Sequence, residues 1–174
     1  MKTSRSFASL GMTTRRLTVS LLASAWAGCG AADARGSSLS ASHAVAIRDS
    51  VHAMLAAFQH YSSSRQWDSV SSLYVADSSL RWIENGRLVM RSRTALEQSL
   101  RSLPPATSIE TVYDTLEITP VAPGAASVLA YYHTTFRDSA RGNASFGGLL
   151  TMTIVHRPEG WRFLNGHTSS PPKG

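Results

Sequence analysis

The sequence is poor in cysteine and in acidic residues, and both shortages exclude kinds of chemistry. Cys29 is the single cysteine among 174 residues, so no disulfide can form within the chain. The alternating segments Val128–Thr135, Phe146–His156 and Trp161–Ser169, which we predict to be strands, contain no Asp or Glu. Acid–base chemistry on these strands would therefore depend on histidine or tyrosine.

Motifs of several enzyme classes are also missing. The sequence has no Gly-x-Ser-x-Gly segment, which argues against a serine hydrolase. His133, His156 and His167 lie on successive predicted strands, but no carboxylate joins them. We therefore expect no metal site and no cofactor.

The excess of positive charge belongs to the N-terminal segment. The chain has 17 Lys and Arg against 11 Asp and Glu, a net charge of +6. Four of the basic residues precede the first apolar run, and without them 13 basic and 11 acidic residues remain, a net of +2. The remaining basic residues are scattered singly, so we expect no nucleic-acid partner.

Residues 1–29 have the pattern of a bacterial secretory signal. Basic residues precede an apolar run too short to span a bilayer, and small residues follow it. Ala27-Gly28-Cys29 resembles a lipobox, in which the cysteine is lipid-modified, although Trp26 departs from that pattern. We predict an exported protein on the periplasmic side of the cell envelope, with membrane contact only through the lipid anchor at Cys29. Plain cleavage and secretion is the alternative, and both Met1 and Met12 fit as the start.

The rest of the chain is long enough for one domain. Residues 30–43 are rich in Ala, Ser and Gly and predict a flexible tether. Residues 44–170 predict a single domain, since domains usually have roughly 100–150 residues. Residues 171–174 are a short tail.

Three helices are predicted, all before the last four strands. Apolar residues recur at helical spacing from Ala44 to Tyr61, with Ser42 as the cap. A short second helix covers Trp67–Tyr74. A third covers Ser92–Leu103 and stops at Pro104-Pro105.

The predicted strands form hairpins. Asn85-Gly86 favours a tight turn within Ser79–Met90, and Arg157–Gly160 favours a turn within Phe146–Ser169. Ser108–Thr119 and Ser127–Phe136 alternate as strands between them. This order predicts an α+β fold in which one curved antiparallel sheet wraps around the N-terminal helices.

The last hairpin predicts one apolar face with a polar end. If His156 pairs with Trp161, alternation places Met152, Ile154, Phe163, Asn165 and His167 on one face. That face could bury a core or line a cavity, and both interpretations stay open. His167 is the candidate for a polar or acid–base contact there, since its ordinary pKa is near 6.5; a structural histidine is the alternative. We also predict that Tyr132 points inward, opposite Tyr113.

The segment Leu73–Asp77, Trp82, Asn85-Gly86, the helix near Leu96 and the ending GWRFLNGHTS together resemble the nuclear transport factor 2-like superfamily, and within it the SnoaL-like domains of unknown function. The resemblance covers about Ala44 to Ser169. It implies a cone-shaped, cystatin-like fold with a pocket between sheet and helices, often dimeric through the sheet. Such domains include isomerases, cyclases, dehydratases, binding modules and scaffolds, so the fold does not give the function.

The ketosteroid isomerase branch of this superfamily uses an acidic tyrosine and a basic aspartate. The resemblance aligns these two positions with Phe58 and Trp82, which can do neither task. Asp77 and Glu84 are nearby, but we expect Asp77 to stabilise a turn and Glu84 to lie at an exposed hairpin tip.

We therefore expect an exported domain that binds a small apolar or aromatic molecule, or an accessory domain, without clear catalytic machinery. We also expect the protein to form a homodimer. The alternatives are an isomerase, cyclase or dehydratase using His167 with Tyr132 or Asn165, and a structural dimerisation module. The expected ligand-binding residues are Phe58, Trp82, Tyr113, Tyr132, Phe163, Asn165 and His167.

Overall fold

The structure is a computed structural model, and it describes residues 39–105, 107–138 and 142–170. The predicted leader with Cys29, most of the predicted tether and the tail at 171–174 lie outside the described residues. The helices are α1 (Ala41–Ser63), α2 (Trp67–Ser72) and α3 (Arg93–Arg101). The strands are β1 (Arg81–Glu84), β2 (Arg87–Met90), β3 (Ser108–Ala122), β4 (Ala125–Asp138), β5 (Gly142–Arg157) and β6 (Gly160–Ser169).

Helix α1 begins earlier than its apolar spacing indicated. The Ser40 hydroxyl accepts a hydrogen bond from the His43 backbone N–H at 3.2 Å, so Ser40 rather than Ser42 is the N-cap. Residues 41–43, predicted as the end of the tether, are therefore the first turn of the helix. The helix buries Ile47, Val51, Met54 and Leu55 against the sheet, as its periodicity predicted.

Helix α3 is bounded by sequence signals. The Ser92 hydroxyl accepts a hydrogen bond from the Ala95 N–H at 3.2 Å and starts the helix. The helix ends at Arg101, before the two prolines, and buries Leu96 and Leu100. Within the described ranges, no helix combines the length and apolar character needed to cross a membrane.

The six strands form one curved sheet in the order β2-β1-β6-β5-β4-β3. The predicted α+β fold is confirmed. Strand β1 runs parallel to β6, and the other neighbours are antiparallel. The β1–β2 turn has positive φ at Asn85 (48°) and Gly86 (78°), the backbone that a two-residue hairpin requires. We call the face that packs on the helices the inner face and the opposite one the outer face.

The strand register confirms two expected pairs and contains one surprise. His156 lies opposite Trp161, and Tyr113 lies opposite Tyr132. The register then shifts, because Ile154 pairs with Phe163 while Thr153 pairs with Asn165, which leaves Leu164 as an extra residue in β6. This bulge reverses the face of every later residue of β6.

Candidate functional site

A cavity of about 220 Å³ lies between the helices and the inner face of the sheet. Most of its lining is aromatic or aliphatic. Five of the residues that we expected to bind a ligand line this cavity: Phe58, Trp82, Tyr113, Tyr132 and Phe163. The other two, Asn165 and His167, do not.

An aromatic cluster forms one wall of the cavity. The Phe163 ring lies 4.8 Å from the Tyr74 ring, 5.5 Å from that of Phe58 and 6.1 Å from that of Trp82, measured between centroids. The contacts with Phe58 and Trp82 are edge-to-face and the contact with Tyr74 is tilted, and aromatic pairs of this kind stabilise beyond the area they bury. The cluster occupies part of the interior, and the open volume remains beside it.

The prediction that His167 and Asn165 face the cavity is wrong. The bulge at Leu164 turns both side chains to the outer face, where they line a shallow groove with Arg81 and Thr151. His167 is exposed, while its neighbour Thr168 lines the cavity. The proposed pairing of His167 with Tyr132 is therefore excluded, because the sheet lies between them.

Gly166 lies two residues after the bulge and faces Trp82. A Cβ atom at this position would lie 2.5 Å from Cζ3 of Trp82, so the indole ring packs directly on the glycine backbone. A glycine within a strand often marks a bulge or a close approach of another group. Gly166 was the signal in the sequence that could have revealed the change of face.

Three polar side chains line one end of the cavity, and we call them the polar row: Glu84, Thr168 and Tyr132. Glu84 is in register with Thr168, and the Thr168 side chain lies close enough to the Tyr132 hydroxyl to influence its pKa. Glu84 is exposed, so it lies at the mouth of the cavity rather than deep inside. We expected only an exposed hairpin tip, but Glu84 follows Trp82 by two residues and so shares its face of β1.

The tyrosines of the cavity are neutral hydrogen-bonding groups. Burial raises the pKa of Tyr74 and of Tyr113 well above the ordinary value. Burial also raises the pKa of Tyr132, the nearby Thr168 side chain lowers it, and the negative charge of Glu84 makes a smaller raising contribution. At neutral pH these phenols can donate a hydrogen bond but cannot serve as bases.

Two threonines form a second polar contact in the cavity wall. The hydroxyl oxygens of Thr111 and Thr134 lie 3.0 Å apart across β3 and β4, and both residues are buried. One hydroxyl donates to the other, so neither is left without a partner and the pair stabilises the wall.

The other titratable side chains have structural positions. Asp77 accepts a hydrogen bond from the Ser79 N–H at 2.8 Å, which with the Ser79 hydroxyl lowers the pKa of its carboxyl, and it therefore holds a turn. His133 Nδ1 lies 3.0 Å from Asp114 Oδ1 on the outer face. The His156 ring packs on Trp161 at 5.3 Å beside the β5–β6 turn. Across the described ranges, no three His, Cys, Asp or Glu side chains are grouped to hold a metal ion.

Comparison with known proteins gives a family match and a set of similar folds. The SnoaL-like domain family matches residues 43–166 of this chain. No curated protein matches it significantly.

Solved structures resemble the chain over most of its length at low sequence identity. A nuclear transport factor 2-like superfamily protein from Salmonella enterica has a TM-score of 0.63 and 16% identity, covering 74% of this chain and 94% of its own. A ketosteroid isomerase-like protein from Erwinia carotovora atroseptica has a TM-score of 0.57 and 15% identity, covering 72% and 96%. A protein with a cystatin-like fold from Novosphingobium aromaticivorans has a TM-score of 0.58 and 17% identity, covering 75% and 85%. At such identities the likeness shows the fold alone.

Proposed function

Because this chain belongs to the SnoaL-like domain family and contains an inner cavity, we propose that it is a small-molecule-binding protein whose ligand is apolar or aromatic. Membership of the family does not decide between binding and catalysis, since this fold carries unrelated functions. The side chains of the cavity must decide between binding and catalysis.

The cavity is the observation that carries the proposal. Its aromatic wall and its aliphatic residues, among them Leu150, Met152 and Leu96, exclude water from the body of a ligand. A few hydroxyl groups at one end can fix the orientation, as is usual for ligand pockets. An apolar cavity of about 150 Å³ holds a benzene molecule, so about 220 Å³ is enough for a small aromatic compound.

Thermal unfolding with a set of aromatic and aliphatic compounds tests this proposal. A ligand at 100 times its Kd should raise the free energy of unfolding by about 2.7 kcal/mol. Leu150→Trp, on the inner face, should fill the cavity and abolish the stabilisation. Leu149→Trp, the adjacent position on the outer face, is the matched control and should retain it. If both variants bind equally well, the ligand does not occupy the cavity.

The polar row supports a second candidate, an isomerase, cyclase or dehydratase. Glu84 would accept a proton at the mouth of the cavity, and the neutral Tyr132 phenol would donate a hydrogen bond to the substrate. Once a ligand is known, turnover should be lost in Glu84→Gln even at a ligand concentration that saturates the variant. Product formation at the wild-type rate by that variant would remove this candidate.

The outer face supports the proposal of a homodimer. Leu129 and Tyr131 are neighbours on the outer side of β4 with 38% and 56% of their surface exposed. Exposed apolar side chains on a sheet favour association with a second copy. Sedimentation should show a dimer that Tyr131→Arg dissociates, and a wild-type monomer at all concentrations would contradict the proposal.

Export and the lipid anchor at Cys29 remain a proposal from the sequence. Cys29→Ser should abolish incorporation of labelled fatty acid and release the protein from membranes. Unchanged membrane association in this variant would favour plain cleavage or a different mode of attachment.

A further inference from the structure

Among the described residues, the only charged side chain that lines the cavity is acidic. Glu84 is its single acidic residue, and no Lys, Arg or His lines the cavity within the described part of the chain. The remaining lining groups are uncharged side chains and neutral phenols. A ligand with a carboxylate or phosphate would therefore enter without a positive partner and close to a negative one, which disfavours its binding.

Glu84 lies opposite Arg87 across the β1–β2 turn, yet its carboxylate stays open to a ligand. Among the described residues, no basic side chain forms an ion pair with Glu84. It is exposed, so its charge remains hydrated until a ligand arrives. Its field reaches the interior, because its negative charge contributes to the raised pKa of both Tyr74 and Tyr132.

The walls near the mouth are suited to a cation. Trp82 and Tyr132 lie on the same inner face as Glu84, and Tyr132 is close enough for the charge of Glu84 to raise its pKa. The faces of aromatic rings attract an ammonium group within about 6 Å. A charge-assisted hydrogen bond to a carboxylate is roughly twice as strong as one between neutral groups.

We propose that the cavity selects ligands with a protonated amine on a small aromatic or apolar body, the amine pairing with Glu84 at the mouth and the body lying among the aromatic side chains. This inference rests on the proposed binding function and adds the charge of the ligand. A neutral alcohol of the same shape would bind more weakly, and a carboxylic acid most weakly.

Three probes with the same eight-carbon skeleton test the sign of the charge: 2-phenylethylamine, 2-phenylethanol and phenylacetic acid. Their dissociation constants for the full chain are measured by calorimetry or by ligand-observed NMR at neutral pH. We expect the amine to bind about tenfold more tightly than the alcohol, a difference equivalent to about 1.4 kcal/mol. Added salt should weaken binding of the amine and leave that of the alcohol unchanged.

Glu84→Gln isolates the carboxylate with little change of shape. It should abolish the advantage of the amine and leave the affinity for the alcohol unaltered. Glu117→Gln is the matched control, because Glu117 is an exposed carboxylate on the outer face of β3 and should affect none of the three probes.

The outcomes separate this inference from the function on which it rests. If the alcohol binds and the amine has no advantage, or if the acid binds best, the charge selection is refuted and the binding function stands. If the amine keeps its advantage in Glu84→Gln, the role of Glu84 is refuted. If none of the probes binds, the amine class is refuted, and a failure of the wider compound set as well would refute the binding function.

Discussion

The two faces of the sheet are built from the same strands and have opposite properties. On β4, the residues Ala126, Val128 and Tyr132 are buried on the inner face, while Leu129 and Tyr131 are exposed on the outer face. Tyr131 and Tyr132 are adjacent in sequence, yet only Tyr132 lines the cavity. The position of a residue relative to the pleat, and not its type, decides whether it can contact a ligand.

The difference is clearest on β6, where it depends on one extra residue. Without the bulge at Leu164, His167 would face the cavity and Thr168 would face outward. With the bulge, an imidazole is exchanged for the hydroxyl of Thr168, which lies near Tyr132. The chemistry available in the cavity therefore changes from that of histidine to that of the polar row.

The largest difference between the faces should appear when one large apolar side chain is removed from each. Phe163 is 1% exposed and contacts three other aromatic rings, so Phe163→Ala should lower the free energy of unfolding by about 3–5 kcal/mol. Leu129→Ala, on the outer face, should change it by about 0.5 kcal/mol or less at concentrations where the protein is monomeric, because the proposed homodimer would cover this residue. Urea unfolding measures both. Similar losses in the two variants would mean that the outer face is buried in an assembly.

A smaller loss of stability should follow from adding a methyl group where Trp82 packs on Gly166. Gly166→Ala places a methyl group 2.5 Å from the indole, and overpacking of this kind costs about 1–3 kcal/mol. Gly124→Ala is the control, because its methyl group would lie 3.7 Å from Cβ of His156, an ordinary contact. Full stability of Gly166→Ala in urea unfolding would show that the indole does not rest on this backbone.

The buried phenols should make the protein sensitive to alkali. Below pH 10 a tyrosine is protonated in both the folded and the unfolded chain. Above it the unfolded chain releases its protons while Tyr74 and Tyr113 retain theirs, because burial raises their pKa. The free energy of unfolding should then fall by about 1.4 kcal/mol per pH unit for each of them.

Urea unfolding from about pH 9 to about pH 11 measures this slope. Tyr74→Phe should reduce this slope by the contribution of the Tyr74 phenol. Tyr131→Phe is the matched control on the outer face, because that ring is 56% exposed, and its slope should equal that of the wild type. An equal slope in Tyr74→Phe would show that this phenol is not protected from solvent.

The smallest effect on stability is expected at His167, the residue that the sequence analysis chose as the polar candidate of the cavity. His167→Ala should change the free energy of unfolding by less than about 0.5 kcal/mol, because His167 is exposed on the outer face. It should also leave the binding of any cavity ligand unchanged. Loss of ligand binding in this variant would place the functional surface on the outer face instead of in the cavity.

Local patterns were sufficient to predict most of the fold. The spacing of apolar residues in α1, the prolines after α3 and the two hairpin turns have short-range physical causes, and the structure confirms the elements that they indicated. The aromatic lining was predictable for the same reason, since alternation brought Tyr113 and Tyr132 to one face. The parallel pairing of β1 with β6 has no local signal, because it joins strands separated by most of the domain.

The sequence by itself determined the order of the elements, the apolar inner face and the aromatic character of the site, because periodicity and turn residues act over a few positions. Tertiary structure alone decided which polar groups reach the cavity. Trp82 of β1 packs on Gly166 of β6, and this contact between distant segments accompanies the bulge that turns His167 outward. The tertiary structure also decided the position of Glu84, because only the pairing of β1 with β6 brings that carboxylate beside Thr168 and Tyr132.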